Sequence, residues 1–167
     1  MSRTQDLIDA IKWNRTRTLA TLEAIEQLPN PQEALAFRPG AGRAHIGWQL
    51  MHVAVTEEIF ATERLAPNKQ RQFEELWPRF RGGSTPDDNV PTAADIRRVL
   101  GEARAHLLAT LSDVDDSRLS ETPASLPEAM KARKLTMLDI LHLLAWHEAH
   151  HQGQAHLTLN LYKARQV

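Results

Sequence analysis

Residues 136–163, TMLDILHLLAWHEAHHQGQAHLTLNLYK, have the pattern of one long amphipathic helix. Asp139 follows Thr136 by three residues, a spacing typical of a capping pair at the start of a helix. On a wheel of about 100° per residue, one face carries Ile140, Leu143, Leu144, His147, His151, Gln154 and Thr158. This face is apolar up to the histidine pair and polar beyond it, which indicates a site rather than plain core.

Three more segments have helical periodicity, and no segment has a convincing strand pattern. These helices are predicted over residues 2–27, over residues 43–65, and from Thr92, which is paired with Asp95 as a cap. A short helix is expected near 128–134. The connections 67–91 and 112–135 are long, and long connections allow consecutive helices to run parallel. The sequence therefore predicts an all-α fold, a four-helix bundle with long crossover loops.

The bulk composition limits the number of domains and the range of partners. The 167 residues predict a single domain spanning 1–167. A net charge of −1 and a pI of about 6.7 give no reason to expect nucleic acid as a partner. The longest apolar stretch is too short for a membrane span. The N-terminus lacks the apolar core of a signal peptide, so we expect a soluble, cytoplasmic protein.

The histidines of two helices predict a metal site. His147 and His151 are four residues apart, which places their imidazoles above one another on one face. This spacing suits a divalent metal, which binds histidine nitrogen at roughly 2 Å. His52 shares an apolar face with Trp48, and a third imidazole there would complete a three-ligand site with an open position. His45 is seven residues from His52, about 10 Å of helical rise, and is too distant to share the ion.

The same segment literally matches the zincin motif H-E-x-x-H at residues 147–151. The longer form of that motif requires glycine and histidine where this chain has Gln154 and Leu157. Because no strand is available to align a peptide, a protease is disfavoured. Glu148 is then expected at the edge of the site or in solvent. Of the remaining histidines, His150 is expected at the flank of the site, as a boundary residue or as a hydrogen-bond donor to a ligand. A surface position is expected for His106. His142 and His156 are expected in solvent or at an interface.

The sequence resembles the DinB family of metal-binding four-helix-bundle proteins over nearly its whole length. Two segments carry the resemblance, GRAHIGWQLMH at 42–52 and WHEAHHQGQ at 146–154. The resemblance implies parallel middle helices and a divalent nickel or zinc ion held by His52, His147 and His151. It also implies thiol chemistry, since some relatives use a low-molecular-weight thiol such as bacillithiol or mycothiol, and it favours a homodimer.

The leading functional hypothesis is a metal-dependent transferase that uses a small thiol and acts on a small-molecule substrate. The chain has no cysteine, so any thiol must come from outside the protein. Substrate-binding candidates are Arg43, Trp48 and Gln154. Further candidates to hold a carboxylate are Arg64, Arg71, Arg79 and Arg81, which also suit a solvated surface. The alternatives are a metal-dependent hydrolase and a non-catalytic metal-binding or stress-response protein.

A second apolar strip on the fourth helix consists of Leu138, Leu141, Ala145 and Ala149. A helix that is apolar on two sides is buried on two sides. Either the connection 112–135 or a second copy of the protein is expected to cover this strip.

Overall fold

The computed structural model describes residues 2–166, which form seven α-helices and no strand. The helices are α1 (Arg3–Glu26), α2 (Pro31–Ala36), α3 (Ile46–Ile59), α4 (Trp77–Phe80), α5 (Ala93–Leu111), α6 (Glu128–Ala132) and α7 (Met137–Ala164). A π-helical turn, Phe60–Arg64, continues α3, and 3₁₀ turns occupy Glu74–Leu76 and Asp116–Arg118. The all-α fold expected from the sequence is confirmed.

The predicted capping residues begin two of the long helices. The Thr92 side chain accepts a hydrogen bond from the backbone N–H of Asp95 at the start of α5. Thr136 and Asp139 form a complete capping box at the start of α7. Helix α3 begins three residues later than expected because His45 is its N-cap, with Nδ1 accepting a hydrogen bond of 3.0 Å from the Trp48 backbone N–H.

The direction of each long helix follows from its contacts. Contacts between α3 and α5 rise together along both chains: Glu57 with Arg104, Glu58 with His106, and Ala61 with Thr110. Contacts between α3 and α7 run in opposite order: Gln49 with His151, and His52 with His147. The middle helices α3 and α5 are therefore parallel to each other, and α7 is antiparallel to both.

Helix α1 runs parallel to α7, since Arg15 contacts Glu148 and Thr21 contacts Gln152. The four long helices therefore form two parallel pairs, α1 with α7 and α3 with α5. The two pairs run in opposite directions. The connection 65–92 is the crossover that lets α3 and α5 run parallel. The connection 112–136 joins α5 to the antiparallel helix α7.

The chain itself covers three of the four residues in the second apolar strip of α7. Leu138, Leu141 and Ala145 pack in a cluster with α1 residues and with Val114, Leu119 and Leu126 of the connection between α5 and α7. Ala149 is exposed. The large apolar side chains Trp146, Leu157 and Leu161 of α7 are exposed. The homodimer stays a prediction. Among residues 2–166, no helix is both long and apolar enough to span a bilayer.

Candidate metal centre

The structure brings His52, His147 and His151 together between α3 and α7. One ring nitrogen from each residue lies within 4.8 Å of the other two. The Nε2 atoms of His52 and His147 are 3.0 Å apart. Two nitrogens that bind one tetrahedral ion at roughly 2.1 Å are about 3.4 Å apart. The cluster therefore has the donor type and the spacing that a divalent ion requires.

The ring of His52 is fixed on two sides. Its Nδ1–H donates a hydrogen bond of 2.6 Å to the carbonyl oxygen of Phe80. The Trp48 indole stacks on it, with ring centroids 4.7 Å apart and planes 10° from parallel. Since a carbonyl only accepts, Nδ1 carries the proton and Nε2 keeps a free lone pair directed at His147. Hydrogen bonding of the second ring nitrogen is the usual way in which proteins orient a histidine ligand.

His151 is oriented in the same way by a side chain of the facing helix. Its Nδ1 lies 2.5 Å from Oε1 of Gln49 on α3. The amide oxygen accepts, so His151 Nδ1 donates and Nε2 is left available. Two of the three imidazoles thus have their tautomer set by a hydrogen bond on the nitrogen that faces away from the cluster.

The environment keeps all three imidazoles neutral. Burial, followed by the neighbouring charges of His52, His150 and Arg64, lowers the pKa of His147 to about 3. Burial and the adjacent imidazoles lower the pKa of His151 to about 3. Burial also lowers the pKa of His52, and the hydrogen bond to Phe80 offsets this only in part. Neutral imidazole is the form that binds a metal, so the cluster needs no deprotonation near neutral pH.

A cavity of about 230 Å³ has His52 and His147 in its wall. Its apolar lining comes from α3, the π-helical turn and α7, and its rim includes Arg81 and Gly82, which are exposed. A small molecule can therefore reach the imidazoles from the surface. No carboxylate among residues 2–166 lines this cavity.

The DinB superfamily model matches residues 10–155 of the chain. The chain belongs to the DinB superfamily. A search of the curated proteins finds no match. Family membership and the three-histidine cluster together fit metal binding.

The position of Glu148 differs from the sequence expectation for this DinB-superfamily protein. The residue lies neither at the edge of the site nor in solvent, because its side chain is 1% exposed and turns away from the cluster into the bundle. There it pairs with Arg15 of α1 at 2.7 Å and with Arg104 of α5. Glu57 of α3 pairs with the same two arginines, and its contact with Arg15 measures 2.9 Å. Each of the four long helices thus contributes one residue to a buried charge quartet, Arg15–Glu57–Arg104–Glu148.

The three substrate-binding candidates lie around a different cavity from that of the histidines. Arg43, Trp48 and Gln154 line a space of about 420 Å³ together with Gln49. Gln49 is thus shared, because it lines this second cavity and also holds His151. Among the candidates, Trp48 also contacts a histidine of the cluster, because its indole stacks on His52.

The remaining histidines have separate positions. His142 and His156 are exposed as expected, and His150 stacks on the exposed ring of Trp146. His106 is not on the surface, because its side chain is 8% exposed and its Nδ1 lies 2.8 Å from Oε2 of buried Glu58. The helical wheel places His106 at the flank of the apolar face of its helix. A helical wheel does not show which residue of a neighbouring helix, here Glu58, packs against that flank.

Two contributors to the centre had no signal in the sequence. The Phe80 carbonyl that orients His52 belongs to the last residue of α4, 28 positions away. Gln49 is one of many polar residues in helices, and only the packing of α3 on α7 identifies its role.

Proposed function

We propose that this protein is a metal-dependent enzyme of the low-molecular-weight thiol transferase type. His52, His147 and His151 would hold a divalent nickel or zinc ion. The observation that carries the proposal is the convergence of neutral imidazole nitrogens at the wall of a cavity that reaches the surface. Three histidine ligands leave a position on the ion for a small molecule, as in catalytic sites.

When bound, the ion would act as a Lewis acid that lowers the pKa of a thiol beside it. The chain's own residues do the positioning. Phe80 and Trp48 hold the His52 ring, and Gln49 holds the His151 ring. The apolar walls at Leu143 and Leu144 limit water around the reacting group.

Two features favour thiol transfer over hydrolysis. Hydrolysis usually needs a general base for water, and the only glutamate of the H-E-x-x-H match is buried in the charge quartet. A free thiol has a pKa of about 8.5, against about 15.7 for water, so it requires far less activation. The chain has no cysteine of its own, which is consistent with a thiol that binds as a separate molecule.

The cavity also favours an enzyme over a purely structural metal protein. In structural zinc sites, four protein ligands occupy all coordination positions of the ion. Here the cluster within residues 2–166 has three histidines, and two of them, His52 and His147, line a space of about 230 Å³.

The test combines metal content with thiol conjugation. Protein purified with nickel or zinc is incubated with bacillithiol or mycothiol and an alkylating fluorogenic electrophile. We expect about one ion per chain and conjugate formation above the uncatalysed rate. His147→Ala should lose both, because it removes a central ligand.

His150→Ala is the matched control, since His150 is an exposed histidine of the same helix turn. It should keep metal and conjugation. Metal binding without any thiol conjugation would contradict the enzymatic proposal, and peptide hydrolysis would favour the hydrolase.

A further inference from the structure

Two arginines face the histidine cavity, and neither is paired with a carboxylate of the described residues 2–166. Arg64 and Arg81 line the same space as His52 and His147. No ion pair within residues 2–166 involves either of them, whereas nearby Arg79 pairs with Asp87 at 2.8 Å. Within residues 2–166, the wall of the cavity therefore carries positive charge beside the imidazoles and no carboxylate.

The backbone and an aromatic ring fix the position of Arg64. It is the last residue of the π-helical turn that continues α3, and turns of this kind are rare and frequent at functional sites. Its guanidinium lies over the Phe60 ring, 4.4 Å from the centroid. The turn and the ring together hold the side chain at the cavity wall, next to His147.

Arg64 has an unsatisfied polar atom. Its Nε is buried and has no hydrogen-bond partner in the part of the chain that the structure describes. Burial lowers the pKa of Arg64, the charge of Glu63 raises it, and the charge of Arg81 lowers it again. A guanidinium that is partly buried beside a like charge is unfavourable unless an anion joins it.

The remaining wall of the cavity is mainly apolar. Ile59, Phe60, Leu143 and Leu144 supply it, and Thr56 adds one hydroxyl. A ligand that fits this wall has an apolar body with a single charged end. The volume of about 230 Å³ limits it to a few heavy atoms beyond that charged end.

We propose that Arg64 and Arg81 bind the oxyanion end, carboxylate or phosphate, of a small amphipathic ligand whose apolar body lies against Leu143 and Leu144. The proposal rests on the proposed function in one respect, because it assigns the charge class of the molecule that function would act on. Guanidinium groups suit both oxyanions, since their N–H donors form a planar fork. Binding of the oxyanion uses protein side chains alone and does not require the ion.

The experiment measures ligand affinity rather than activity. The full-length chain, as purified and after removal of metal, is titrated by NMR with pentanoate, pentylphosphonate and neutral pentanamide. At least one oxyanion should bind about tenfold more tightly than the amide, which is about 1.4 kcal/mol. The preference should persist without metal. The tighter of the two oxyanions identifies the class.

Arg64→Gln and Arg81→Gln should each reduce oxyanion affinity by about tenfold while leaving pentanamide binding unchanged. Arg81 is exposed, so its variant keeps the fold even if the Arg64 variant does not. Arg71→Gln is the matched control, because Arg71 is paired with Glu74 and does not line the cavity.

Equal binding of pentanoate, pentylphosphonate and pentanamide would overturn the proposal. So would a preference that disappears with the metal, or one that both arginine variants retain. Oxyanion binding without thiol conjugation would contradict the proposed thiol transferase function and still support the oxyanion site. Thiol conjugation without an oxyanion preference would support the proposed transferase function and contradict the oxyanion site.

Discussion

At the scale of single residues, the histidine cluster depends on side chains that never reach the ion position. Gln49 is the clearest case, because its amide oxygen fixes which nitrogen of His151 carries the proton. Without that acceptor, His151 can exchange tautomers and rotate about its side-chain bonds. Both changes compete with metal binding.

Gln49→Leu should therefore weaken metal binding by roughly 10- to 100-fold, with the helical content unchanged. Competition with a chromophoric chelator measures the affinity. Gln152→Leu is the matched control, since Gln152 lies next to His151 but donates its hydrogen bond to Thr21 of α1. Equal affinities in the two variants would show that Gln49 does not orient the ligand.

The residue scale also shows what the sequence could and could not predict. The i, i+4 spacing and the apolar faces predicted a shared site for His52, His147 and His151. The fold brings one ring nitrogen of each within 4.8 Å of the other two, and their role as metal ligands stays a prediction. They failed for Glu148, because a wheel gives the direction of a side chain and not its partners. Arg15 and Arg104 come from two other helices, and only tertiary packing brings their charges to Glu148.

At the scale of elements, the start of α1 is stabilised by a distant segment. The carboxylate of Asp116, in the connection between α5 and α7, accepts hydrogen bonds from the backbone N–H groups of Arg3 at 3.1 Å and Thr4 at 2.8 Å. The Ser2 hydroxyl donates to it as well, at 2.8 Å. Asp116 thus satisfies donors that the first turn of a helix leaves free, and its negative charge is favourable there.

Asp116 should make stability depend on pH in the acid range. Hydrogen bonds from the Thr4 backbone, the Ser2 hydroxyl and the Arg3 backbone hold the pKa of Asp116 far below its ordinary value. A depressed pKa in the folded state means that the contribution is complete above the unfolded pKa of about 3.9. It is lost as the pH falls below that value.

Asp116→Asn should accordingly lower the melting temperature at pH 7. The difference in melting temperature between this variant and the wild type should become smaller as the pH falls from 4 to 2. Thermal unfolding followed by circular dichroism over this pH range is the measurement. Asp113→Asn, an exposed change in the same connection, is the control. A constant difference between Asp116→Asn and wild type at every pH would rule out the charge as the source.

Element boundaries were predictable where capping residues are local. The pairs at Thr92 and Thr136 gave the starts of α5 and α7 because each bond joins residues three apart. The start of α3 was missed because histidine is an uncommon N-cap, and His45 is held by a contact with the Asp87 carbonyl oxygen 42 positions away. The π-helical turn at Phe60–Arg64 has no local signature in the sequence.

At the scale of the whole molecule, the charge quartet links all four long helices across their shared interior. Every side chain in it is less than a tenth exposed. Two carboxylates balance two guanidinium groups, and Thr18 adds a hydrogen bond of 2.8 Å to Glu148. A buried quartet of this type is costly to leave incomplete, because each missing charge isolates its partners.

Glu148→Gln should reduce the free energy of unfolding by about 3–5 kcal/mol, measured by urea denaturation. Metal content per folded chain should be unchanged, because Glu148 faces away from the histidines. Glu102→Gln, which removes an exposed pair with Arg98, should change stability by about 1 kcal/mol or less. A similar small effect for both variants would show that the quartet adds little to stability.

The overall arrangement of helices was largely predictable from the four periodic segments and the length of the connection before α5. The family resemblance supplied the parallel orientation of the middle helices. Periodicity alone could not show which helices are neighbours, because the apolar faces of α1, α3, α5 and α7 are interchangeable as patterns. The contacts of Arg15 and Arg104 with both glutamates define that arrangement.

The distance along the chain between the histidines has a consequence for biosynthesis. His52 and His147 are 95 positions apart, on helices that meet only when α7 has docked against α3. A ribosome delivers the chain from the N-terminus onward, so His52 emerges into the cell well before its two companions. Until then the nascent chain offers only one of the three imidazoles of the cluster, and one ligand binds metal weakly. Tight metal binding would therefore require that α7 has already packed against α3. The fraction of chains with bound metal would then measure the fraction that has completed folding.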